Sequence, residues 1–168
     1  MKKISPFFSL ALALVLTISV MAIPTTVLAK TDFAPGDPAL KQALQAEQKW
    51  LNIQQDTINK ADLAASKVQE VIDKAAAEGL DVTSLQNALG VFNNAMSNSK
   101  GEHQAAANLL NTHNGFDGSG EVTDRQSARQ MILDTRQHLM QAHVSLVQAT
   151  RNLHQAVLDW RSATFGQN

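Results

Sequence analysis

The sequence contains no cysteine and no tyrosine, and its last proline is Pro38. Without cysteine there is no disulfide, no thiolate nucleophile and no lipid-modified N-terminal Cys. Without proline after residue 38, the rest of the chain lacks the strongest helix breaker. Aromatic residues make up only 5% of the chain and charged residues 17%. No stretch alternates β-branched or aromatic residues with polar ones, as a half-buried strand would. With no strands, no Gly-rich phosphate loop can follow one, and no Gly-x-Ser-x-Gly is present. The acids are scattered at helix positions, usually beside a Lys or Arg, which reads as a solvated surface rather than a paired-carboxylate site. Lys and Arg are nearly balanced by Asp and Glu, so the basic footprint of a nucleic-acid binder is missing. The chain is expected to be neither an enzyme nor a nucleic-acid partner, and no cofactor is expected.

One long apolar run is present, at residues 7–23, with Lys2 and Lys3 before it and Pro24 directly after. Val27-Leu28-Ala29 then offers a signal peptidase its small residues, so residues 1–29 read as a secretory signal cleaved after Ala29. The run is at the short end for a membrane span, and Pro24 ends it, which favours cleavage over an anchor. The expected product is secreted or periplasmic, without membrane contact once cleaved. Losing Lys2 and Lys3 takes the basic residues from 14 to 12 against 15 acids, a net charge of −3. Residues 30–37 form a flexible lead punctuated by Pro35-Gly36.

The remainder is rich in Ala, Leu, Gln, Asn and Ser, an all-α composition. Its clearest stretch is 132–163. Steps of three and four pick out Ile132, Thr135, Leu139, Ala142, Leu146, Ala149, Leu153, Ala156, Trp160 and Ala163, a seam of alternating large and small residues. A first seam runs Leu40, Leu44, Glu47, Leu51, Gln54, Ile58, Ala61, Ala65, Val68, Ile72, Ala75. Ala43, Trp50, Thr57, Ala64 and Val71 widen it beyond a two-stranded zipper. A second runs Leu85, Leu89, Phe92, Met96, Ser99, His103, Ala106, Leu110, His113.

Caps mark the ends. Asp37-Pro38 opens the first helix and Gly79 closes it. Asp81 caps the second, with Leu80 and Leu85 as a hydrophobic staple, and Gly115 ends it with Phe116 folding back. Thr123 and Gln126 form a capping box for the third. The expected helices span about 38–78, 82–113 and 123–165. Short turns between them demand an elongated, antiparallel, coiled-coil-like three-helix bundle, with the ends near residues 40 and 163 projecting past the shorter second helix.

Five histidines raise the question of metal, but no two lie three or four apart on one helix. A cross-helix pair of His103 and His138, with Asp56 or Glu102 nearby, is the metal candidate. The competing reading is a buried polar layer of Gln54, Ser99, His103 and Thr135 that fixes register, and this is preferred. Asp117-Gly118-Ser119-Gly120-Glu121 places oxygen side chains at alternate positions, like the start of a calcium loop. Val122 and Ala128 then stand where the invariant Gly and the bidentate Glu are required, so a Gly-rich connection is the better account. The second helix is the oddity: between Val82 and His113 the only charged residues are Lys100 and Glu102. An uncharged helix face is cheap to desolvate, so Asn87, Asn94, Asn98 and Asn108 are the interface candidates, for another protein or a second copy. The third helix leans towards Arg, but the spacing is too wide for a dense basic patch.

Val122-Thr123-Asp124-Arg125-Gln126 resembles the Leu-Thr-x-x-Gln motif of small periplasmic helical stress proteins of the CpxP and Spy type, with Val122 at the Leu position and a single copy where those typically carry two. The resemblance implies an exported all-α protein without catalytic residues, forming cradle-shaped dimers linked to envelope stress and chaperoning. Three functions follow in order of preference: a secreted binding or assembly module, an envelope chaperone or metal-responsive protein of that type, and a lipid-binding bundle.

The small residues of the third seam let neighbouring helices approach. Ala149→Leu is expected to overpack the bundle and cost about 1–3 kcal/mol in denaturant unfolding. A neutral result would mean that this face is open.

Overall fold

The computed structural model describes residues 38–166. The leader at 1–29 with its cleavage site, the lead at 30–37 and the Asp37 cap lie outside the described residues. Three helices pack against one another: α1, Pro38–Ala77; α2, Thr83–Thr112; and α3, Arg125–Phe165. Among the described residues there is no strand, only a single antiparallel bridge between Phe116 and Val122. The fold is an all-α three-helix bundle. Ser99 bonds to Ala142 and Glu102 to His138, so α3 descends as α2 ascends; Glu47 meets Arg136 and Gln54 meets Leu139, so α1 and α3 run the same way.

The helices contribute to two compact groups of residues. The first comprises, of the described residues, 57–97 and 146–166. Its core is apolar: Ile58, Val68 and Ile72 from α1, Leu85, Phe92 and Met96 from α2, and Leu146, Leu153, Val157 and Trp160 from α3. Burying each large side chain stabilises the fold by about 1.5–3 kcal/mol before entropy is counted. The Trp160 indole N–H donates to the Asp81 carbonyl at 2.8 Å, and Phe165 meets the Trp160 ring edge-on at 5.6 Å between centroids.

The second group holds 38–56 and 98–145. Leu40, Leu44, Leu110, Phe116, Met131 and Ile132 form one cluster in it, and Trp50, Ala106 and Leu139 another. Leu40 is fully buried there, so the start of α1 does not project as its length suggested. The connection 113–124 supplies Phe116 and Val122 to cover it.

The seams are buried as expected through most of their length, and they depart at two ends. On α3 the seam passes from Leu153 to Val157, leaving Ala156 half-buried and Ala163 exposed. About seven turns of a straight helix from Ile132 land on Val157, whereas a strict three-four alternation assumes a 3.5-residue repeat. On α2 the last seam residue, His113, has left the helix with φ 49° and is exposed.

Helix ends follow local chemistry. Gly79, at φ 75°, closes α1: its own N–H bonds to Ala76 O at 2.9 Å and that of Leu80 to Ala75 O at 3.0 Å, a Schellman pair. The Asp81 carboxylate accepts the Thr83 N–H at 2.9 Å, and these bonds hold its pKa below the usual Asp value. Leu80 and Leu85 share the apolar core, as a staple requires. The expected capping box at Thr123 is corrected by one residue. Asp124 caps α3, its carboxylate taking the Gln126 N–H at 3.0 Å and the Ser127 hydroxyl at 2.8 Å. Asp is the stronger cap, and Ser127 rather than Gln126 sits three residues on to reach back. The Thr123 N–H is drawn off to Gly115 O at 2.9 Å.

That Gly115 carbonyl also accepts from Asp124 N at 3.2 Å, and the residue has φ 83°. A Cβ at Gly115 would fall on the backbone of Ala128 and on the Asp124 carbonyl, inside the first turn of α3. The close approach and the left-handed backbone both demand glycine. Gly115→Ala is expected to destabilise by at least about 2 kcal/mol. Gly118→Ala, where a Cβ meets open space, should change little. Chemical denaturation of the two variants side by side checks the contrast.

Candidate functional site

Five polar or charged side chains are buried among the described residues: Glu47, Gln54, Ser99, His103 and Thr135. All five lie in the group formed by 38–56 and 98–145. They occupy seam positions, so helical periodicity turns them inward whatever their chemistry. Each buried polar atom then needs a partner.

Gln54 on α1 has two. Its amide nitrogen donates to the Leu139 carbonyl on α3 at 2.9 Å, and its amide oxygen lies 3.1 Å from His103 Nδ1 on α2. The Leu139 carbonyl can only accept, so the NH2 end of Gln54 must face it and the oxygen must face His103. His103 therefore carries its proton on Nδ1 and leaves Nε2 bare. Burial lowers the His103 pKa, keeping the ring neutral to more acidic pH than an exposed imidazole. Ser99, one turn earlier on α2, donates its hydroxyl to the Ala142 carbonyl at 2.8 Å.

Glu47 is almost wholly buried, with Arg136 of α3 bonded to its Oε1 through Nε at 2.8 Å and through Nη2 as well. The other oxygen, Oε2, has no partner. Burial pushes the Glu47 carboxyl above its usual pKa, and the bond and charge of Arg136 offset this only in part. The Thr135 hydroxyl, fully buried, has no partner either.

The two histidines considered for metal are held apart by different bonds. His103 bonds to Gln54, whereas His138 Nδ1 sits 2.6 Å from Glu102 Oε2 at a half-exposed position. Asp56 is exposed. Among the described residues no group of three His, Cys, Asp or Glu side chains could hold a metal ion. In the loop 117–121, the Asp117 carboxylate is already occupied by Ser119 N–H at 2.8 Å, Ser119 hydroxyl at 2.7 Å and Glu121 N–H at 2.9 Å. Glu121 pairs with Lys41. These bonds explain the oxygen-rich sequence as a self-contained turn.

The register layer expected from Gln54, Ser99, His103 and Thr135 is present, although Thr135 takes no bond in it. The Glu47–Arg136 pair was not foreseen. Its signal is a Glu at a buried seam position, which has to find a cation, and Arg136 stands one residue past the seam residue Thr135.

The interface candidates Asn87, Asn94, Asn98 and Asn108 are all exposed. Val91, beside Asn87 and Asn94 on the same face, is 62% exposed. Gly90 and Gly101 open onto the solvent side, with empty space where a Cβ would stand. On α3, Leu133, Met140 and Val144 form a separate exposed apolar stripe. No helix among the described residues is long and apolar enough to cross a membrane. Comparison of the chain with family models, with curated proteins and with solved structures finds no match.

The layer yields two substitutions of opposite sign. Ser99→Ala removes a made bond and is expected to cost about 1 kcal/mol. Thr135→Val removes an unpaired buried hydroxyl at constant shape and is expected to raise stability by about 1 kcal/mol. Urea unfolding midpoints decide both, and a loss at Thr135→Val would show that the hydroxyl has a partner such as bound water.

Proposed function

We propose that the chain is an exported, non-enzymatic binding or assembly module that engages another protein, or a second copy, through the outer face of α2. The observation that carries this reading is chemical. On α2 the only charged side chains are exposed Lys100 and the partly exposed Glu102, which is paired with His138. The face presents Asn, Gln and Ser together with Val91 and two bare glycines, so covering it costs little desolvation. The polar side chains that face inward support the same reading, since most are already engaged within the bundle and not left free for chemistry.

A stress chaperone of the CpxP and Spy type is the second reading. It is supported by the exposed stripe of Leu133, Met140 and Val144, an apolar surface of the kind a client could meet. Within the stretch that carries the resemblance, Asp124 caps α3, its carboxylate accepting the Gln126 N–H.

The two readings separate in solution. Val91→Glu combined with Asn94→Glu should leave helicity intact and abolish self-association or partner capture measured by light scattering and crosslinking. If wild type and variant behave alike, α2 is not the contact face. If the wild-type chain suppresses aggregation of unfolded clients and Met140→Glu abolishes that, the chaperone reading replaces the first.

A further inference from the structure

The buried titratable groups are confined, among the described residues, to one part of the bundle. Residues 38–56 and 98–145 contain Glu47, Gln54, Ser99, His103 and Thr135, while the described residues of the other group, 57–97 and 146–166, enclose the Thr150 hydroxyl but bury no titratable side chain. We propose that residues 38–56 and 98–145 form an acid-releasable part of the bundle, in which protonation of buried His103 opens the packing around Gln54 while the apolar core of 57–97 and 146–166 stays closed.

The geometry supplies the sensor. His103 is held by its Nδ1–H on the Gln54 oxygen, and that oxygen is fixed because the Gln54 amide nitrogen is committed to Leu139 O. A second proton can enter only at Nε2. It adds a full charge beside a neutral amide, in a setting that includes Trp50, Ala106 and Leu139. The charged groups around this level do not compensate. On α1, Glu47 is committed to Arg136 and Asp56 is exposed; on α3, Arg136 is cationic and His138 is taken by Glu102; on α2 itself, Lys100 is cationic and exposed. Protonation also leaves the Gln54 bond in place, so the cost is the buried charge itself.

The sign follows from the direction of each shift. His103 has a lowered pKa, so its contribution is complete above the ordinary imidazole value near 6.5 and is lost as pH falls through the folded value. Half-buried His143, on α3, is lowered by the same cause and acts in the same direction. Glu47 is raised and opposes them, since the folded state takes up its proton first. Asp81, Asp117 and Asp124 are lowered, so they matter only below the ordinary Asp range, outside this window.

Hydrogen exchange with mass spectrometry on the processed chain tests this, with protection corrected for intrinsic exchange chemistry. Between about pH 7.5 and 5.5, protection over 98–112 and 132–145 should fall several-fold, with about tenfold as the ceiling for one imidazole that ionises near 6.5 when open, while 58–75 and 146–160 hold. His103→Gln should remove most of that difference, leaving the share that His143 contributes. Glu47→Gln should retain or steepen it, because it deletes the opposing group. Gln54→Glu, which places a carboxylate against the imidazolium, should cancel or invert it, and this variant decides the matter should His103→Gln fail to fold. The proposal is overturned if protection is lost equally in both regions, if neither region responds, or if the response is undiminished in His103→Gln.

Discussion

Gln54 bonds to both other helices at one level, and the register of residues 38–56 and 98–145 depends on it. Its NH2 is committed to Leu139 on α3 and its oxygen to His103 on α2. Sliding α1 by a turn would strand both ends of the Gln54 amide and the His103 imidazole, and sliding α2 would strand the imidazole and the Ser99 hydroxyl, at a cost of about 1–3 kcal/mol for each unsatisfied group. Leucine and alanine seams alone are tolerant of such slips, because one apolar contact replaces another. The layer therefore contributes more to uniqueness than to stability. The unpaired Thr135 hydroxyl and Glu47 oxygen show that the same group gives up stability at other points.

The connection between α2 and α3 works by a different constraint. Gly115 brings the chain so close to α3 that its carbonyl serves Thr123 and Asp124 while its Cα lies against the turn that Asp124 caps. Phe116 is thereby pinned into the cluster with Leu40 and Ile132. Asp117 folds the loop tip upon itself through three bonds to Ser119 and Glu121. The turn is thus specified by one residue without a side chain and two short acids. The exposed Lys41–Glu121 pair adds little to it.

Which positions face inward was legible in the sequence, because helical periodicity depends on spacing alone. Seam residues from Leu40 to Ala75, Leu85 to Leu110 and Ile132 to Leu153 are buried or half-buried as their spacing requires. That Gln54, Ser99 and His103 would turn inward as polar residues was legible too, from their seam positions. Partner choice was not. Whether His103 meets Gln54 or His138 depends on the rotation of each helix about its axis, and a few tens of degrees decide it. The same holds for Glu47, whose partner Arg136 lies beside the seam and not on it. The capping error at α3 is of another kind. Thr123 and Asp124 are both competent caps, and the stronger of the two, Asp124, takes the position through its carboxylate.

The outward faces carry the last step of the synthesis. Gly90 and Gly101 lie inside α2, each costing about 1 kcal/mol relative to Ala, and neither has a positive φ or a close neighbour to require it. On α3, the exposed residues from Gln130 to Gln148 are Gln130, Leu133, Gln137, Met140, Gln141, Val144 and Gln148, again without a charge. A bundle shaped only by its own stability would fill such positions with Ala, Glu, Lys and Arg, which favour helix and support each other in pairs. The exposed part of α1 does so, with Lys67 and Glu70 paired at 2.8 Å. The proposed interface rests on this contrast: intramolecular packing accounts for every inward residue on α2 apart from the choice of polar ones, and it accounts for neither of the two glycines on its surface. A helix that gives up propensity where nothing within the molecule asks for it is suited to being covered, which is the physical content of the interface reading.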